Sequence, residues 1–492
     1  MMADFVEDLE AIKNSVLLTT FTCKKKRYKV FFHQNQIIWD KEKPPSVQVT
    51  VPIENVITVE HVNKTANHRL DDPTIDPHSF IIHYAKRRSN CTWKHATIAF
   101  SHTDPIQVAS WVKTLQNTLQ TFNQRPKSIL LFLNPYGGKR NAMQIYEKLA
   151  KPLFQIAGVD VTVNVSQRKD QIRDFVTYHN LDMYDVVACV GGDGTVSELF
   201  NGLIIRECQL HNLDYNDINI DIPKPKMPIG IIPGGSTDTI AFCLHGTTDV
   251  QTAVLHIIFG GRIGLDLVSV YDETKLLRLY ASVLSYGYLG DVAHSSDKYR
   301  WLGPKRYDYS GFKKLIYNMG YEGEIAMLSE KDDFTSSRCF ESCSECSVCI
   351  DKTTEKKELV WKTIKGKYFM VSGANISCAC DRSPNGIAPN SHLGDGNLHL
   401  VLVQHTSLLN NVRLLLRLSG RNKEIQQFPF VETHKAKEFC FRAINKKSKW
   451  NCDGEVQYQT DIRAKVRCQL LTILGRGMPV PTETVTNCCS FC

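Results

Sequence analysis

The sequence predicts a multidomain chain of mixed α/β and β class: a small antiparallel β-barrel closed by one helix, a parallel α/β lobe, and an antiparallel β lobe. Three observations predict it. Short β-branched and aromatic segments crowd the first hundred residues and end in a single amphipathic stretch. Apolar runs then alternate with helical stretches between 129 and 232, and strand-like segments dominate again from about 265. A length of 492 residues exceeds what one hydrophobic core organises, so two or three domains are expected.

In the first region Tyr28–Phe32, Gln36–Trp39, Val47–Val51, Ser79–Tyr84 and Ala96–Phe100 carry the composition of strands. From Asp104 to Phe122 the period changes. Val108, Trp111, Val112, Leu115 and Leu119 recur at helical spacing, and Asp104-Pro105 supplies a cap and a first-turn proline. Beyond the connector Asn123–Lys127, the continuous apolar run Ile129–Leu133 is followed by a helical stretch around Ile145 to Ile156. Valines at 159, 161, 163 and 165 then alternate, a helix is expected from Asp170 to His179, and strands from Asp185 to Val190 and from Pro228 to Ile232. Apolar strands separated by helices make a parallel sheet covered on both faces. Later strands are expected at Tyr280–Leu284, Lys367–Val371, Leu398–Val403 and Leu470–Leu474, with a polar, cysteine-rich insert at Lys331–Lys357 and a tail at Pro481–Cys492. The expected division is 1–123, 124–265, 266–480 and 481–492.

Composition narrows the function classes. With 42% hydrophobic and 22% charged residues the chain reads as an ordinary globular protein, and no apolar run is long enough for a membrane span. MMADFVEDLEAIKNSVLL lacks the basic-then-apolar order of an export signal, so a cytoplasmic location is expected. The 17 cysteines are then mostly reduced thiols, and the sequons at Asn63 and Asn90 are chance matches. A net charge of +8 suits anionic partners such as nucleotide phosphates or acidic lipid surfaces, without arguing for nucleic acid.

The strand ending at Val190 runs into Gly191-Gly192-Asp193-Gly194-Thr195, after which Val196, Leu199, Phe200, Leu203 and Ile204 mark one helix face. Strand, glycine loop and helix aim backbone N–H groups and a helix dipole at an anion. An aspartate inside such a loop repels a phosphate, so it points to metal-assisted or proton-transfer chemistry. Two more loops follow neighbouring strands: Asn134-Pro135-Tyr136-Gly137-Gly138-Lys139-Arg140, and Pro233-Gly234-Gly235-Ser236-Thr237-Asp238. Three such loops at strand ends converge on one crevice. Neither G-x-x-x-x-G-K-[ST] nor an opening G-x-G-x-x-G is present.

Asn134–Lys139, Ser166-Gln167-Arg168, Gly191–Thr195, Asn201-Gly202, Pro233–Ser236 and Asp453-Gly454-Glu455 resemble, in order, the motifs of the diacylglycerol and sphingolipid kinase superfamily. The barrel with its tryptophan-bearing helix resembles a pleckstrin homology domain. The superfamily resemblance implies a two-lobe lipid kinase, with ATP and Mg2+ on the first lobe, a β-sandwich as the second, and lipid between them. It implies nucleotide contacts from Asn134, Pro135, Tyr136, Ser166, Gln167, Arg168, Lys169, Asp170, Glu198, Gly234, Gly235 and Ser236. Asp193 resembles the catalytic aspartate that takes the proton of the lipid hydroxyl, flanked in the substrate site by Gly191, Gly192 and Gly194. Asp291 aligns with a substrate-contacting aspartate, and Arg300 and Arg306 with phosphate-binding arginines, or else they are a solvated basic helix face. Asp453, Gly454 and Glu455 contact nucleotide or metal, or form a plain hairpin turn.

Within the superfamily, Cys339-x3-Cys343-x2-Cys346 and the N-terminal domain resemble the ceramide kinases, which implies ATP-dependent phosphorylation of the ceramide primary hydroxyl. Sphingosine or diacylglycerol kinases of the same fold are the alternatives, and an inactive membrane-binding scaffold is the non-enzymatic one. Cys349 adds a further x2 step, so the four cysteines form either a zinc site or free thiols. Lys24-Lys25-Lys26-Arg27 is either a phosphoinositide site or a solvated loop. Peripheral association with Golgi or plasma membrane is expected, and the resemblance implies Ca2+ stimulation although the sequence has no EF-hand loop.

Overall fold

The computed structural model describes residues 16–42, 48–62, 78–88, 91–138, 140–302, 305–331, 338–341, 343, 346, 358–420, 424–445 and 448–479. Both sequons' asparagines, Lys139, Cys349 and the tail from 481 lie outside the described residues. Seven antiparallel strands come first: β1 (Leu17–Cys23), β2 (Lys26–His33), β3 (Gln36–Lys41), β4 (Val49–Pro52), β5 (Val56–Val62), β6 (Ser79–Arg87) and β7 (Trp93–Ser101). They pair in the order β4-β3-β2-β1-β7-β6-β5. Sequence reading missed β1 and β5. In β1 the run is threonine-rich and Phe21 is its one fully buried side chain, so little apolar patterning betrays it. Helix α1 (Pro105–Gln120) closes the barrel, with Val108, Trp111 and Leu115 packed on Phe21, Phe80 and Phe100. The Asp104 carboxylate accepts from the Ile106 N–H at 2.9 Å, a cap that contributes about 1 kcal/mol.

Among the described residues, the strands after the first domain form one continuous 15-stranded sheet. Its parallel part is β8 (Ser128–Leu133), β9 (Asp160–Val165), β10 (Val186–Gly191) and β11 (Ile229–Pro233), in the order β9-β8-β10-β11. Helices α2 (Ala142–Ile145, continuing through Tyr146–Ala150 and Lys151–Ile156), α3 (Gln171–Tyr178), α4 (Asp193–Leu210), α5 (Thr239–His245) and α6 (Val250–Phe259) connect or cover these strands. The two lobes share strands instead of meeting at a linker. Strand β12 (Arg262–Tyr271) runs through position 265, and the last strand, Ile462–Leu474, pairs parallel with β11 at Ile229↔Ile473 and antiparallel with β12 along most of its length.

The second lobe contains β13 (Leu276–Tyr280), β14 (Val283–Gly287), α7 (Tyr288–Ser296), α8 (Lys305–Tyr317), β15 (Tyr321–Glu330), β16 (Leu359–Ala374), β17 (Leu398–Gln404), α9 (Leu408–Leu418), β18 (Val431–Ala436), β19 (Glu438–Ala443), β20 (Trp450–Cys452), β21 (Glu455–Gln457) and β22 (Ile462–Leu474). The strand expected over Tyr280–Leu284 is two strands. Ala281 and Ser282 leave the ladder because their N–H groups, with that of Val283, donate to the buried Asp453 carboxylate at 2.8, 3.1 and 3.0 Å.

The first domain is docked on the parallel lobe. Ile57, Ala85 and Trp93 pack into the core that α2 and α6 cover, the Trp93 N–H donates to Thr252 Oγ1 at 2.9 Å, and Lys94 pairs with Asp249 at 2.6 Å. Arg125, in the expected connector, donates to the carbonyls of Val56 and Glu54. Among the described residues no helix is long and apolar enough to cross a membrane.

Candidate active site

The three glycine loops meet backbone to backbone. A Cβ on Gly235 would lie 2.4 Å from Gly192 Cα, and one on Gly138, whose φ is +53°, would lie 2.6 Å from Gly235 Cα. No larger residue fits either position. Asn134 holds its own loop by accepting from the N–H groups of Tyr136 and Gly137, both at 3.1 Å, and donates across to Thr195 Oγ1 at 3.0 Å. Gly234 N–H donates to the Gly191 carbonyl at 3.1 Å. Tyr136 and Ser236 are exposed, and a Cβ on Gly194 would meet open space. That leaves the mouth of the crevice lined by backbone and by small groups.

Asp193 opens α4 next to this crowding point. Thr239 N–H donates to its Oδ2 at 3.2 Å and Ile240 N–H to its Oδ1 at 3.0 Å, so the start of α5 orients the carboxylate. Desolvation pushes its pKa up to about 6, and the nearby negative charges of Asp238 and Asp453 add to the rise while the two N–H bonds oppose it. Asp238 accepts from Gly235 N–H at 2.8 Å and so braces the third loop. Its left-handed backbone, φ +53°, is a feature that sequence alone does not display.

A second wall comes from Ser166 to Asp170. Ser166 is buried and donates to the Arg168 carbonyl, while Gln167 N–H donates to Gln171. Arg168 pairs with Asp174 at 2.7 Å. Asp170, at φ +61°, precedes α3, and its N–H donates to Glu198, as does that of Ile172. Burial raises the Glu198 pKa, and its Oε2 is buried without a hydrogen-bond partner. Lys169 reaches Glu455 at 3.4 Å, and Arg278 reaches Glu455 at 2.6 Å and Ser197 Oγ at 2.8 Å. Glu455 thus ties the two lobes together, and Arg278, whose strand position gave no sequence signal, completes the tie.

Asp453 and Gly454, with φ of +47° and +88°, are the two central residues of the β20–β21 hairpin. The turn reading and an inward carboxylate are both present: Asp453 also accepts from Ser282 Oγ and lies close enough to Asp193 to raise its pKa. Asp291 lies in the first turn of α7. Its Oδ1 accepts from Ser448 at 2.5 Å, and its Oδ2 accepts from Tyr321 at 2.9 Å and pairs with Lys314 at 3.2 Å. None of these three partners carries a sequence signal. Arg306 lies in the first turn of α8, and the side chain of Arg300 lies outside the described residues. Cys339, Cys343 and Cys346 converge on His392 instead of on a fourth thiol in the described structure.

Residues 128–270 match the diacylglycerol kinase catalytic domain, residues 17–115 the ceramide kinase PH domain, and residues 282–449 the ceramide kinase C-terminal domain. Human ceramide kinase is 33% identical over 484 residues, covering 88% of this chain and 90% of that protein. Mouse ceramide kinase is 33% identical over 482 residues, covering 87% and 90%. The crystal structure of a diacylglycerol kinase from Bacillus anthracis str. Sterne aligns with a TM-score of 0.48 at 16% identity, over 71% of this chain and 97% of that one. With the glycine crevice, the two lobes and the N-terminal barrel in one chain, and with a relative at this identity over nearly the full length, the chain belongs to the ceramide kinase family of lipid kinases.

Proposed function

We propose that this kinase transfers the γ-phosphoryl group of Mg-ATP to the primary hydroxyl of ceramide, with Asp193 as the general base. The hydroxyl proton passes to Asp193, the oxygen bonds to the γ-phosphorus, and the bond to the β,γ-bridging oxygen breaks to release ADP. The observation that carries this reading is the carboxylate of Asp193, held by two N–H donors where the three glycine loops touch. A pKa of about 6 leaves it deprotonated at neutral pH yet basic enough to accept a proton. The glycine loops and the first turn of α4 offer backbone N–H groups to the phosphates.

The donor set fits a magnesium ion. Asp238 and Glu198, the latter with a buried oxygen lacking a partner, are the carboxylates that would hold it. Bound with ATP, the ion would neutralise charge on the β- and γ-phosphates. Asp291, oriented by Ser448, Tyr321 and Lys314, is assigned to the polar head of the lipid, and the exposed Tyr309, Phe312 and Ile316 of α8 suit its hydrocarbon. Lys24 and Lys25 occupy the β1–β2 turn at φ of +46° and +62°, a strained placement for lysine, and with exposed Lys26 and Arg27 they present cations to an acidic phosphoinositide membrane. Side-by-side assay of ceramide, sphingosine and diacylglycerol with labelled ATP tests the substrate assignment. Faster turnover of either rival lipid would overturn it.

A further inference from the structure

Cys339, Cys343 and Cys346 come from one short segment, and His392 from the loop before β17. Their ligating atoms all lie within 4.8 Å of one another. Cys339 Sγ to Cys346 Sγ is 3.5 Å, and His392 Nδ1 is 3.6 Å from Cys343 Sγ and 3.8 Å from Cys346 Sγ. A tetrahedral zinc ion with Zn–S of about 2.3 Å and Zn–N of about 2.0 Å has S···S edges of about 3.8 Å and S···N edges of about 3.5 Å. The observed edges are of that size, and the sulfurs stand well beyond the roughly 2.05 Å of a disulfide.

The surroundings suit a closed structural site. Cys339, Cys346 and His392 are buried, and the Gly394 N–H donates to the Cys346 sulfur. The described part of the segment forms no strand, and its backbone bonds within itself are Cys343 N–H to Phe340 and Cys346 N–H to Cys343. We propose that Cys339, Cys343, Cys346 and His392 bind one structural zinc ion as a Cys3His site. On one side the ion anchors the His392–Gly396 loop, which is tied to β12 by Asp266 N–H to the Leu393 carbonyl at 2.7 Å and by Gly396 N–H to Asp266 Oδ2 at 2.6 Å. On the other side Glu341 receives Arg87 of the first domain at 3.2 Å, and its N–H donates to the Met478 carbonyl at 2.6 Å. One ion thereby fixes the point where the first domain, the strand common to both lobes and the segment after β22 meet.

The test uses the full chain, expressed with added zinc and purified under reducing conditions. Elemental mass spectrometry should find about one zinc per chain, and cobalt(II) replacement should give the thiolate charge-transfer and visible bands of a tetrahedral thiolate site. His392→Ala and Cys343→Ala should each lower bound zinc by at least about tenfold, while Cys440→Ala, in β19, keeps it. His392→Cys should retain metal, with cobalt bands shifted to those of four thiolates, which separates ligation from mere folding. A folded wild-type chain without zinc and without cobalt bands would overturn the proposal. So would a Cys339–Cys346 disulfide in the non-reduced peptide map, or His392→Ala with undiminished zinc.

Discussion

Asp193 and Asp291 are both partly buried aspartates in the first turn of a helix, one in each lobe, and their surroundings are opposite. Asp193 is held by the main-chain N–H groups of Thr239 and Ile240, with negative rather than positive charge around it. Asp291 is held by side chains: a lysine, a phenol and a serine hydroxyl. The two N–H donors orient the carboxylate and favour its charged form, but desolvation and the neighbouring carboxylates outweigh them and raise its affinity for a proton. A carboxylate whose lone pairs are occupied by an ammonium and two hydroxyls is suited to orienting a polar group. The contrast is the ground for proposing proton transfer for the first and lipid placement for the second.

The strongest way to break that contrast is Asp193→Asn, which should lower single-turnover phosphoryl transfer by about 10²- to 10⁴-fold while ATP binding persists. If Asp291→Asn suffers that loss instead, the roles are reversed. Next in size is Gly235→Ala, whose Cβ would collide with Gly192 Cα and Asp238 Oδ1; nucleotide affinity measured by calorimetry should fall by about 10-fold or more, with a stability loss of about 1–3 kcal/mol. Asp291→Asn itself should raise the KM for ceramide by about 10-fold and change kcat much less, as expected where a ground-state contact is weakened.

The pH dependence sharpens the same point. The limb of kcat/KM on the acid side should fall about tenfold per pH unit below the Asp193 pKa of about 6. Stability moves the other way. The folded state holds a proton between 3.8 and about 6 that the unfolded chain has lost, so the wild type loses stability as pH rises through that window. Asp193→Asn should therefore unfold at higher denaturant than wild type above pH 6, by on the order of 1–3 kcal/mol, and the gap should close below about pH 4. The smallest effect is Gly194→Ala. Its Cβ meets open space, so stability should change by no more than about 0.5–1 kcal/mol, and any large activity loss would mark Gly194 as a point of phosphate approach.

The Asp193 side of this contrast was legible in the sequence and the Asp291 side largely was not, for a physical reason. Asp193 sits in a loop whose glycines are consecutive in the chain, so local composition announces the crowding that Gly192 and Gly235 resolve. Asp291 depends on Ser448 and Tyr321, which reach it only through strand pairings formed across the chain. Asp453 is a similar case: Asp-Gly announces a turn, but nothing local announces that its carboxylate breaks the β13–β14 continuity at Ala281 and Ser282. His392 follows the same rule, since strand β16 and its flanking connections separate it from Cys346 in the chain. Helix α1 and strands β8 to β11 were readable because their period and apolar content are local properties.

Strand β22 has a mechanical consequence. Thirteen residues of one strand run from β19 in the second lobe to β11 beside the glycine crevice, with β12 hydrogen-bonded along most of the way. Two lobes laced this way have no pivot. Opening and closing the cleft must twist a shared leaf of sheet, a stiff deformation spread over many bonds, so large excursions fall to the helical pair α7 and α8 on its rim. Amide exchange slow in β22 and fast in α8 is the expected signature: a rigid spine with a compliant edge.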